Sequence, residues 1–313
     1  PLHRSLGAPL GHQLVLGAAQ RHCPPHRQHF AKHTRVEGKV TREDAPERRV
    51  RGCGMPLKKA IRQGALQALS ITASGYTSAS AVSFFQGHAQ LQQWERNRRL
   101  GKPAQIGAEH LLASAALPLL FPAQLIGHEY FGDGGIRQTA PLSPAVHLGA
   151  SHILVIGTRD EHLDPTSQQS DSDYPSMGDI AGYMLDVIFM DNLQADLARL
   201  QRINRTLALL SPKARTQTHL RPIDTLVLKP SRDIREVAQR HTHRMPASVR
   251  YLLRAVGAWG HRSRLPSYLL FESEFCSELM ELGYNDTMSQ RHLVEHFFSV
   301  QHKASTDAST DNS

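Results

Sequence analysis

A chain of 313 residues, 40% apolar and 20% charged, has the composition of a soluble globular protein with one large core or two modest ones. Its formal net charge of +8 would suit an acidic partner, but residues 1–55 alone hold ten Lys and Arg against four Asp and Glu. The remaining body is nearly neutral, which argues against a nucleic-acid-binding fold, and three scattered cysteines (Cys23, Cys53, Cys276) make neither a disulfide framework nor a zinc pattern.

Taken in chain order, residues 1–55 stand apart. They are rich in Arg, His and Pro, show no sustained period of 2 or 3.6, and are expected to be poorly ordered. "QLVLGAA" is too short for a signal-peptide core. The chain starts with Pro rather than Met and is expected to be processed or partial.

Regular text begins near Ala60. "LQALSITAS" and "AVSFFQ" read as strands around the turn-like "GYTSAS". "AEHLLASAALP" reads as a short helix stopped by Pro118, and "LIGHEYFGDGG" as one strand running into a glycine turn. The apolar stretch around Pro118 and Pro122 is too broken to cross a membrane. "SPAVHLGA" suggests a helix capped by Ser143, with Pro144 at its first position and Gly149 as its stop. "ILVIG" is continuously apolar, as a parallel strand buried on both faces would be.

The polar stretch 158–176 is expected to be a mobile loop, its acidic residues lacking calcium-loop spacing. After it, Ser176 and Asp179 propose a capping box for a long helix, with Leu193, Leu197, Leu200, Ile203 and Leu207 on one face. "DTLVLKP" reads as a strand, followed by a helix that Ser231 is placed to cap. A further helix is expected to bury Val249, Leu252, Leu253 and Val256 on one face. "SYLLFESEFCSELMELG" is expected to be helical up to Gly283. His241 and His243 suit a basic helix end. "HLVEH", His292 to His296, has the letters of an inverted zinc-protease motif, but on a C-terminal amphipathic helix it reads as a solvated face.

One stretch carries candidate chemistry. In "YFGDGGIRQTAPLSP", Asp133 stands among Gly132, Gly134 and Gly135 where an apolar strand ends. Side-chain-free neighbours permit a tight turn capped by the aspartate, or the close approach of another group to a working carboxylate. The residues alone leave both open.

Together with "GALQALSITASGYTSASAVSFFQ", "HLLASAALPLLFP", "LARLQRINRTL" and "LRPIDTLVLKPS", that stretch resembles the bacterial patatin-like phospholipases, over about Ala60 to Ser299. Strands alternating with helices argue for an α/β fold with a mainly parallel sheet, and the resemblance implies its three-layer form, incomplete at its N-terminal side, with a helical C-terminal extension. The implied divisions are 1–55, a partial patatin-like domain over 56–230, the helical extension over 231–300, and a disordered tail over 301–313. It implies hydrolysis of lipid acyl esters by a Ser–Asp dyad without metal or cofactor, with Asp133 as proton acceptor and Gly134 and Gly135 as its motif glycines. It implies a lipid or acyl-ester substrate, no nucleic acid, and a cytoplasmic protein with peripheral contact to a membrane surface.

The departure from the family is equally legible. No Gly-x-Ser-x-Gly occurs in these 313 residues, and no glycine-rich oxyanion loop precedes the body. Ser78 and Ser114 have Tyr76 and Leu112 two places before them, and the flanks of Ser5 do not both fit. The chain is therefore expected to be inactive alone, as a truncated or frame-shifted product or as a pseudoenzyme that binds lipid or a partner. A nucleic-acid-binding role confined to the basic first segment is the more distant alternative.

Overall fold

The computed structural model describes residues 14–17, 57–158 and 177–299, apart from 119, 219, 256, 258 and 260–264. The expectations for the rest of 1–55, for the 158–176 loop beyond Thr158, for the cap at Ser176 and for the tail lie outside the described residues. The chain divides into two compact units, residues 18–134 and residues 1–17 with 135–313.

In the first unit, α1 covers residues 57–62. Six strands follow: β2 (Ala68–Gly75), β3 (Ala81–Gly87), β4 (Trp94–Arg96), β5 (Arg99–Pro103), β6 (Gln124–Ile126) and β7 (Glu129–Asp133). They form one sheet in the order β4-β5-β3-β2-β7-β6, with α2 (Ala108–Ser114) between β5 and β6 in sequence. The α/β class is as expected, but the strand directions correct the expectation of a mainly parallel sheet. Only β3 and β5 pair in parallel here; β2–β3, β2–β7, β4–β5 and β6–β7 are antiparallel.

Short connections impose three of these antiparallel pairs, β2–β3, β4–β5 and β6–β7, because a tight turn can only return the chain antiparallel. Asn97 and Arg98, both at positive φ, join β4 to β5, and Gly127 (φ 64°) with His128 joins β6 to β7. The expected single strand over "LIGHEYFGDGG" is thus a hairpin.

Residues alternate across the strands. Ala73, Val82, Phe84 and Phe131 bury themselves with Ala113 of α2 as the core of this unit. On the other face Thr72 and Ser83 share a hydrogen bond of 2.9 Å, and Phe85 stacks on Trp94.

The second unit contains a sheet in the order β1-β8-β9, from Leu14–Gly17, His152–Ile156 and Asp224–Leu228. β1 falls in the segment where no element was expected, and it pairs antiparallel with β8, whereas β8 and β9 are parallel. Ile153 and Val155 are fully buried while Ile156 is exposed, so β8 alternates instead of being buried on both faces.

α3 (Ser143–His147) and α4 (Met177–Leu209) supply the rest of that core through Leu142, Ala145, Leu193, Leu197 and Leu200. Leu207 is also buried and Ile203 half-buried, as the helical spacing requires. Ser143 is not the cap of α3: Leu142 occupies that place without a side-chain bond, and its N–H donates to Asp196 Oδ2 at 3.0 Å. Gly149, at φ 100°, does stop the helix. Asn204 ties α4 to the start of β9 by donating to and accepting from the backbone of Ile223.

After α5 (Pro212–Thr216), the C-terminal part is helical, with α6 (Ile234–His241), α7 (Ala247–Ala255), α8 (Leu265–Leu269), α9 (Ser273–Ser289) and α10 over residues 291–299. Asp233, not Ser231, caps α6, accepting from the N–H of Arg235, while Ser231 N–H donates to Asp286. The expected single helix ending at Gly283 is broken at residues 270–272, and Gly283 lies inside α9. Val237, Met245, Leu253, Leu265, Leu270 and Phe275 are the core of these helices.

Candidate active site

Asp133 is the last residue of β7 and is only 1% exposed. It lies opposite Ala73 of β2, and residues paired across strands share a face, as do residues two apart on one strand. Asp133 therefore occupies the face of Ala73, Val82, Phe84 and Phe131. Its N–H donates to the carbonyl of Ala116 at 2.9 Å, just after α2, which fixes the backbone where the strand ends.

The glycines around it have different tasks. A Cβ at Gly134 would collide with the carbonyl oxygen of Thr72, so β2 and the motif approach more closely than any side chain allows. Ser74 Oγ–H donates to the carbonyl of Gly134 at 3.3 Å, adding a second tie to β2. Gly134 and Gly135 open a 3-10 turn that ends at Ile136. At Gly132 the obstacle is only the ring end of Tyr76, a side chain that is itself 52% exposed.

The turn above the strand is tied down as well. Glu129, at the start of β7, accepts from Ser78 N–H at 2.6 Å, and Ser80 Oγ–H donates to the Ser78 carbonyl. Ser78 is exposed in this turn and Ser114 ends α2, half-buried; Ser5 lies outside the described residues. Ser74, not considered from the sequence, is 3% exposed and bonded to the motif, yet Thr72 and Tyr76 two places either side deny it a nucleophile elbow.

The sequence around this site matches a known family. Residues 40–146 match the family model of the patatin-like phospholipases. That segment is similar to a patatin-like phospholipase domain. The match contains β2 to β7, Asp133, Gly134 and Gly135, and it begins upstream of the boundary drawn at residue 55. No curated protein matches the chain.

Among the described residues no group of three or more His, Cys, Asp or Glu gathers as a metal site, and Glu295 of "HLVEH" pairs with Arg291 at 2.6 Å. No described helix is long and apolar enough to cross a membrane.

A second charged cluster lies in the helical part. Glu278 of α9 receives Arg240 at 2.6 Å on one oxygen and His241 at 2.7 Å on the other, with Arg232 at 3.6 Å. His243 sits in the 3-10 turn after α6, its Nδ1 3.0 Å from the Arg240 carbonyl. The hydrogen bond from His241 chiefly holds the Glu278 carboxyl below its ordinary value of 4.5; burial opposes this, and the charges of Arg240, His241 and Arg232 assist it.

A depressed carboxyl contributes stability that is full above its unfolded pKa and is lost as pH falls through the folded one. Glu278→Gln should thus lower the melting temperature at neutral pH, by the equivalent of about 1 kcal/mol or less because the cluster faces solvent. The gap should close as pH drops below 4.5. Thermal melts of both proteins across pH 3 to 7 check this (about the range in which carboxyls titrate), and a gap that widens in acid would contradict the assignment.

Proposed function

We propose that the chain carries the carboxylate half of a patatin-type lipid acyl hydrolase, with Asp133 as the proton acceptor of a Ser–Asp dyad. The observation behind this is a buried aspartate at a strand end, followed by a glycine that no other residue could replace, inside the family segment. In such a dyad the serine hydroxyl passes its proton to the carboxylate as Oγ adds to the ester carbonyl. The proton then leaves with the alcohol, and water repeats the cycle on the acyl-enzyme.

No Gly-x-Ser-x-Gly stands in these residues to supply that hydroxyl. Asp133 alone could activate only a water, without the acyl-enzyme that divides the reaction into easier steps. Lacking a glycine-rich loop, the oxyanion would also lose donors that contribute about 2.7–4 kcal/mol each. The chain by itself should therefore hydrolyse a medium-chain nitrophenyl ester no faster than Asp133→Asn does, and a fluorophosphonate probe should not label it. The same missing elbow favours a second reading, a lipid- or partner-binding pseudoenzyme. Turnover abolished by Asp133→Asn, with the probe mapped to a serine of this chain, would sink both the expected inactivity and the pseudoenzyme.

A further inference from the structure

The stretch from Val237 to Phe271 contains Arg240, Arg244, Arg250, Arg254, Arg262 and Arg264 and not one Asp or Glu. Such segregation is unusual in a body that is otherwise near neutral. Two of these arginines are held by carboxylates from α9, Arg240 by Glu278 and Arg244 by Glu274. Arg250 and Arg254 are not: among the described residues, Arg250 donates only weakly to the His243 carbonyl at 3.4 Å, and Arg254 lies 4.6 Å over the Trp259 ring.

Both belong to α7, whose inner face is made by Leu253 and the half-buried Val249. At 100° per residue, Tyr251 then stands near the centre of the outer face. The exposed Arg254 flanks it on one side, with the half-buried Arg250 further round, and Leu252 lies on the other, with the small residues Ala247, Ser248 and Ala255 between them. Tyr251 is 76% and Leu252 56% exposed, although Leu252 had been expected inside.

This helix therefore presents a tyrosine and a leucine outward beside arginines that have no carboxylate partner among the described residues. It matches a bilayer interface, where the ring and leucine enter the headgroup boundary and arginine stems reach up to anionic phosphates.

We propose that the outer face of α7 is a docking surface for an anionic phospholipid bilayer. This deepens the lipid reading by naming the surface on which the protein meets its substrate's phase. It concerns binding rather than turnover, so either reading can fail alone. Duplex DNA is the competing polyanion, but it has no use for an exposed tyrosine and leucine on the same face as the arginines.

The test is flotation of the full chain with vesicles of phosphatidylcholine alone or mixed with phosphatidylglycerol. The wild type should float with the mixed vesicles, more weakly with phosphatidylcholine, and should be released by salt. Reversing a charge at Arg254→Glu should lower partition roughly tenfold or more, since each basic group near such a surface contributes about a factor of five. Tyr251→Ser should weaken binding without removing its salt dependence. Both sites are exposed, and far-UV circular dichroism confirms that the variants remain folded.

Arg205→Glu, on the exposed side of α4, changes net charge equally and should leave flotation nearly intact. Equal loss from Arg205→Glu and Arg254→Glu would reduce the effect to overall charge and overturn the proposal. So would an absence of vesicle binding, or duplex DNA that displaces the protein from vesicles and loses its own affinity with Arg254→Glu.

Discussion

Gly134→Ala is expected to destabilise the protein by about 3 kcal/mol or more, while Gly132→Ala, two residues away in the same motif, should cost less than about 1 kcal/mol. The added methyl is the same in both, so the neighbours decide. At Gly134 the new carbon meets the carbonyl oxygen and carbon of Thr72. These belong to the backbone of β2, which is hydrogen-bonded to β3 on one side and β7 on the other and cannot yield locally. At Gly132 it meets the end of the Tyr76 ring, which is half in solvent and can swing aside by a rotamer change. Urea unfolding followed by circular dichroism separates the two. Equal stability of the pair would mean that β2 and the motif do not approach as described, and the case for a pre-formed carboxylate site would go with it.

The consequence for function is specific. A carboxylate that must accept a proton has to be held within hydrogen-bond reach of its partner, and a loop displaced by one methyl would miss it. The backbone at Asp133 is held through its own N–H to the Ala116 carbonyl and through the Ser74 hydroxyl's bond to the Gly134 carbonyl. That arrangement gives Gly134 a structural role without requiring it to touch substrate.

The sequence showed where the carboxylate is and not why the glycine follows it. Asp133 among its glycines is visible in a dozen letters, but Thr72, which excludes any side chain at position 134, lies far upstream. β2, β3, β8 and β9 were legible because their apolar residues run together or alternate. β4 and β5 were not, since "WER" and "RLGKP" are short and polar, and their turn uses Asn97 and Arg98 in place of the glycine that would have signalled it. The antiparallel pairing of β2 with β3 was not anticipated: a mainly parallel sheet was expected even though "GYTSAS" read as a turn between them. Likewise Ser231 was expected to cap α6, whereas Asp233 does so and the Ser231 N–H donates to Asp286 instead. Leu252 was assigned to the core by spacing alone, and the register of α7 turns it outward.

Phe84→Ala should cost about 3–5 kcal/mol, the range for emptying a buried aromatic site. Phe84 is 6% exposed at the centre of the six-stranded sheet, edge-on to Phe131 at 5.3 Å and to His110 of α2 at 4.8 Å. Aromatic pairs of this geometry add about 0.5–1.5 kcal/mol beyond the area they bury, so Phe84→Leu should still lose about 1 kcal/mol while keeping most of the volume. The larger interest is what lies next to the cavity. Phe131 sits two residues before Asp133 on the same face of β7, and α2 leads directly to the Ala116 carbonyl that receives the Asp133 N–H. Removing the ring loosens both walls of that hydrogen bond together. Amide exchange at Asp133 should then quicken in Phe84→Ala under conditions where the protein is still folded, and less so in Phe84→Leu. A cost below about 1 kcal/mol for the alanine variant, within the spread of ordinary surface substitutions, would show that this cluster does not support the strand that carries the carboxylate.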